Sequence, residues 1–85
     1  MELIIEPEAE GDLRNFEEDH QRYILEKLEE LKDKPVGHKN SDTIRIDNRQ
    51  VFKYVMKKDK RGGKDYRAVY DIQEGQIKVV AIFHR

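Results

Sequence analysis

The apolar spacing of this chain changes once, and that change dictates its fold class. Up to Leu31 the apolar residues recur at helical intervals: Ala9, Leu13 and Phe16 in "EAEGDLRNFEED", then Tyr23, Ile24, Leu28 and Leu31 in "HQRYILEKLEELKD". "KPVG", with Pro35 and Gly37, ends the second stretch. After "HKNS" the period drops to two. "DTIRID" sets Ile44 and Ile46 against Thr43, Arg45 and Asp47, and "DNRQ" turns the chain. "VFKYVMKK" sets Phe52, Tyr54 and Met56 against Val51, Lys53, Val55 and Lys57. A loop, "KDKRGGK", leads into "DYRAVYDI", where Tyr66, Ala68, Tyr70 and Ile72 oppose Arg67, Val69 and Asp71. After a turn at "QEGQ" the last strand, "IKVVAIFHR", is apolar on both faces, as a central strand would be.

A short run at the start, "ELIIE", reads as a further strand closed by Pro7. The expected order is therefore β-α-α-β-β-β-β, an α+β two-layer sandwich. An antiparallel sheet carries both helices on one face, and the other face stays open. The helical stripes should meet Phe52, Tyr54, Met56, Ala68, Tyr70 and Ile72. Gly11 weakens the first helix by about 1 kcal/mol relative to alanine. Glu26 and Glu30 are like-charge neighbours, so packing has to hold the second.

At 85 residues the chain is read as a single domain, 1–85, because smaller pieces could not bury a useful core. Its 36% hydrophobic content is low against 41% charged, but the periodic clustering argues for a thin core and against disorder. The absence of cysteine excludes disulfides and thiolate metal sites. "MELIIEPEAE" has the pattern of neither a signal peptide nor a membrane span, so a cytoplasmic location is expected.

A net charge of −1 hides a division. Residues 1–33 hold 12 of the 18 acids and 4 of the 17 bases, a balance of −8; the remaining 6 acids and 13 bases give +7. The acidic helices and the basic strands should thus form separate surfaces. The outward strand rows would place Arg45, Lys53, Lys57 and Arg67 on the open face. Lys57, Lys58, Lys60, Arg61 and Lys64 would crowd one hairpin tip. Such a surface suits a phosphate polyanion; the alternative is that lysine and arginine merely blunt an exposed sheet.

Other chemistries find little support. His20, His38 and His84 have no zinc-ligand spacing, so no metal is expected. His20 and His38 read as solvated, and His84 as lying at the edge of the open face. "RGGK" lacks the spacing of a phosphate loop. Ser41 is the only serine, too few for a hydrolase triad.

The element order, with "DYRAVYDI" followed by a hairpin into "IKVVAIFHR", resembles the RelE/ParE superfamily of toxin–antitoxin toxins. The likeness lies in a "YR-hydrophobic-hydrophobic-Y" strand and a closing "HR". It implies a single RelE-like toxin domain with no cofactor, held by a cognate antitoxin protein. RelE-type members cleave messenger RNA in the ribosomal A site without metal, through attack of a 2′-hydroxyl on the adjacent phosphate, and inhibit translation. By position the resemblance implies Lys53, Arg67 and Arg85 as catalytic residues, with Arg67 on the scissile phosphate and Arg85 at the leaving group. On that reading the basic row and hairpin tip described above, Arg45, Lys57, Lys58, Lys60, Arg61 and Lys64, would contact the RNA. Val55 stands where the family pattern has a second lysine, and no segment with a stacking tyrosine follows Arg85. ParE-like members share the fold but bind DNA gyrase, and a weakened homologue would act as a binding module.

Overall fold

The computed structural model describes residues 1–36, 41–57 and 65–84. Strand β1 (Glu2–Ile5) leads into helices α1 (Pro7–Arg14) and α2 (Glu18–Leu31). The strands β2 (Ser41–Ile46), β3 (Arg49–Lys57), β4 (Asp65–Gln73) and β5 (Gln76–His84) follow. These four form the expected antiparallel meander. Strand β1 adds to the far side of β5 in parallel, so the sheet is mixed and runs β1-β5-β4-β3-β2. A parallel neighbour cannot be reached by a hairpin; here the helical layer carries the chain from β1 to β2 at the opposite edge, and the meander then returns it to β5 beside β1.

Pro7 opens α1 as well as closing the strand, since its fixed φ and missing N–H suit a first helical position. The helix stops at Arg14, before Phe16, and α2 starts at Glu18. Gly11 lies on the exposed side of α1, and an added Cβ would meet nothing within 4 Å. Gly11→Ala is therefore expected to stabilise the fold by about 1 kcal/mol, read as a higher urea midpoint at unchanged m-value.

Both helices cover one sheet face. Ala9 and Leu13 of α1 and Ile24, Leu28 and Leu31 of α2 share a core with Tyr54, Met56, Tyr66, Ala68, Tyr70, Ile77, Val79 and Ile82. Its polar atoms are placed with care. The Tyr70 hydroxyl donates to the Pro35 carbonyl at 2.7 Å, which leaves the Ser41 hydroxyl to donate to Tyr70 at 2.6 Å. Burial, with smaller contributions from Glu30, Tyr23 and Tyr70, pushes the Tyr54 hydroxyl up to about 12, so it stays neutral at physiological pH.

Two features decide which side chains reach the open face. The β2–β3 turn has positive φ at Asp47 (51°) and Asn48 (64°), the geometry of a two-residue hairpin loop. It pairs Ile46 with Arg49, Ile44 with Val51 and Asp42 with Lys53. The second feature is a bulge in β5. Val69 pairs with Ala81 and Tyr70 with Val79, which leaves Val80 as an extra residue and reverses the alternation beyond it.

Candidate functional site: the open sheet face

Arg67 stands in mid-sheet on the side away from the helices, opposite Val55 of β3 and Phe83 of β5. Its neighbours in sequence, Tyr66 and Ala68, are buried beneath the helices, so strand alternation alone aims Arg67 outward. Lys53 lies on the same face, opposite Val69 and so diagonal to Arg67. Both side chains are partly exposed, and among the described residues neither forms an ion pair with a carboxylate. The Arg67 Nε–H is shielded from solvent and has no hydrogen-bond partner among the described residues. An orphaned donor of this kind costs about 1–3 kcal/mol, a cost that an acceptor brought by a bound group would relieve.

One acid of the same strand row, Asp71, is already occupied. Asp71 is buried and accepts a hydrogen bond from the Arg49 guanidinium. It also accepts from Gln73 Nε2 at 2.9 Å and from the Ile72 N–H at 2.8 Å. Burial on its own would raise the carboxyl, but the hydrogen bonds from Arg49, Gln73 and Ile72 and the Arg49 charge outweigh it and hold Asp71 below 3.8. With the folded value depressed, this stability is complete above the unfolded carboxylate value and fades as pH falls through the folded one. Asp71→Asn is therefore expected to flatten the loss of thermal stability below about pH 4, measured as melting temperature against pH. Lys78, paired with Asp71 across β5, adds another cation that the sequence pattern did not single out.

The register corrects one expected contact. Arg45 pairs with Gln50 and stands on the helix side, because the turn geometry turns the apolar row of β2, Ile44 and Ile46, onto the open face. Together with the buried Val51 and Val69, this makes the open face an apolar strip flanked by cations. Lys57 takes its strand position opposite Asp65. Lys58, Lys60, Arg61, Lys64 and Arg85 lie outside the described residues, as does His38.

Two histidine readings also change. His20 is buried, and its Nδ1 is hydrogen-bonded to the Tyr66 hydroxyl. Its place at the head of the stripe His20–Ile24–Leu28–Leu31 carried that signal in the sequence. His84, displaced by the β5 bulge, pairs with Tyr66 on the helix side, with ring centroids 5.3 Å apart. The two histidines line a pocket of about 240 Å³ with Asn15, Phe16, Glu17 and Tyr66. This pocket lies on the other side of the sheet from Arg67, so neither imidazole can serve a phosphate bound there. Ligand atoms of Glu17, Asp19 and His20 fall within 4.8 Å of one another, a grouping expected of acids at a helix N-terminus.

The chemistry available on the open face is thus cationic and electrostatic, with apolar surface beside it. Comparison with known proteins agrees with this architecture. A chain of the crystal structure of the intact E. coli RelBE toxin–antitoxin complex matches with a TM-score of 0.58, at 17% identity, over 95% of this chain and 92% of that one. No curated protein sequence matches. The family model described as the ParE toxin of type II toxin–antitoxin system, parDE, matches residues 3–85, which is nearly the whole chain. The chain belongs to this toxin family, within the RelE/ParE superfamily.

Proposed function

We propose that the chain is a type II toxin that acts as a metal-independent, ribosome-dependent endoribonuclease, with the open sheet face as its working surface. The observation that carries this reading is Arg67: central, outward, unpaired by any described carboxylate, with a buried donor that has no acceptor among the described residues. A scissile phosphate supplies that acceptor. As the 2′-hydroxyl oxygen attacks phosphorus, negative charge grows on the non-bridging oxygens and the 5′-oxygen leaves. Arg67 and Lys53 stabilise that charge, and Arg85 is assigned to the leaving oxygen. Loss of the 2′-hydroxyl proton and gain of one by the leaving oxygen complete a 2′,3′-cyclic phosphate and a 5′-hydroxyl. With both described imidazoles on the helix side of the sheet, this face contributes positioning and electrostatics, while the ribosome aligns the message.

A cytoplasmic location follows from action on messages; no described helix is long and apolar enough to cross a membrane. The RelBE likeness supports a cognate antitoxin partner, and an acidic antitoxin segment would compete with RNA for Lys53 and Arg67. The family match to ParE favours one other reading, gyrase binding without cleavage. Induction of the wild-type chain and of Arg67→Ala in cells lacking antitoxin, with message 5′ ends mapped by primer extension, separates the two. Arg67-dependent cleavage of translated messages supports the nuclease. Growth arrest with DNA damage and intact messages would replace it by the gyrase reading, and normal growth would leave a binding module.

A further inference from the structure

Phe83 is 42% exposed on the open face, directly opposite Arg67 in the β4–β5 register. Side chains opposite one another in antiparallel strands sit with Cβ atoms about 4.5–5.5 Å apart. An uncovered ring of that size beside a cation has no use in the core, which lies on the other side of the sheet. Next to it in β5 on the same face is Ala81, opposite Val69, and Val69 in turn stands opposite Lys53. The β5 bulge puts the ring on this face; uninterrupted alternation from Ile77 and Val79 would turn Phe83 inward.

We propose that Phe83 is a base-stacking platform, holding the single-stranded RNA base that adjoins the phosphate on Arg67. The proposal rests on the RNA reading above and adds a recognition element to it. Proteins that bind unpaired RNA on a sheet combine cations for the backbone with exposed aromatics for the bases. Arg67, Lys53 and Phe83 form that combination within two neighbouring strand pairs. A nucleotide carries both partners in one unit, an anionic acceptor for the Arg67 donor and a flat ring for Phe83, whereas a protein partner would have to place an acidic and an apolar side chain together. Stacking tolerates every base, so this contact alone would favour purines by ring area and read no sequence.

The test uses a short single-stranded RNA carrying 2-aminopurine, with the full chain and with Phe83→Ala, Phe83→Tyr and Phe83→Trp. Stacking quenches 2-aminopurine fluorescence, and anisotropy of a distal dye reports binding by any means. The wild type is expected to bind and quench. Phe83→Ala should bind about 5- to 150-fold more weakly and lose the quench. The tyrosine and tryptophan variants should retain both, and matching melting temperatures exclude misfolding. Binding without quenching, or an alanine variant equal to wild type, overturns the platform and leaves the phosphate reading intact. If the wild type binds only on the ribosome, cleavage of translated messages takes the place of anisotropy: equal cleavage by wild type and Phe83→Ala overturns the proposal, and selective loss upholds it. A wild type that neither binds nor cleaves overturns both.

Discussion

Replacing Arg67 by alanine is expected to lower message cleavage roughly 10²- to 10³-fold, the loss typical of removing one donor from a developing oxyanion. The fold should survive unharmed. Arg67 contributes no described ion pair, and its shielded Nε–H has no hydrogen-bond partner among the described residues. Arg67→Met keeps the packing of the stem and discards that donor. Its melting temperature should equal or exceed the wild type, while its activity falls as far as that of the alanine variant. Activity lost with stability kept or gained is the signature of a residue held for its ligand. Arg67→Lys should recover only part of the rate, since a point charge cannot reproduce a planar fork. A clear loss of stability in Arg67→Met would make the residue structural and sink its role as phosphate ligand.

The second large effect lies in the core. Ile24→Ala is expected to cost about 2–5 kcal/mol, because Ile24 is fully buried where α2 meets the sheet. A chain of 85 residues has only about 4–13 kcal/mol to lose, at roughly 0.05–0.15 kcal/mol per residue. At about 4–8 °C per kcal/mol, the midpoint of thermal unfolding should fall by roughly 8–40 °C. A fall of only a few degrees would show that the helices collapse around the gap and that the core is plastic. Leu25, one residue further along and 39% exposed, is the internal control; its alanine variant should shift the midpoint far less.

The change in apolar period was enough to read the element order, the hairpins and the layer that each helix faces. Central strands were legible because both neighbours share their pattern: Phe52, Tyr54 and Met56 fall in the row that packs with Ala68 and Tyr70. The edge strand was not. The row of Ile44 and Ile46 looks like a core row, but an edge strand takes its facing from the turn that joins it to its partner. Asp47 and Asn48 set a register that sends these isoleucines outward and Arg45 inward. The parallel docking of β1 was hidden for a related reason, since a four-residue strand carries no mark of its distant partner. The end of β5 was misread through the bulge at Val80. One unpaired residue exchanged the sides of Phe83 and His84, and no local pattern announces a bulge in a strand apolar on both faces. Arg67, in contrast, was legible because "YRAVY" keeps strict alternation on both sides of it.

The parallel pairing of β1 with β5 also governs when the protein comes into being. Glu2 meets Gln76 and Ile5 meets Val79, so the closing contacts join residues 74 positions apart. Bringing such distant segments together has an entropic cost before any contact rewards it, and chains rich in these contacts fold in milliseconds to seconds instead of microseconds. A nascent chain that has reached only β4 holds Arg67 and Lys53 but has no strand to carry Phe83 and no partner for its first strand. The open face around Arg67 is therefore completed only once β5 has joined the sheet.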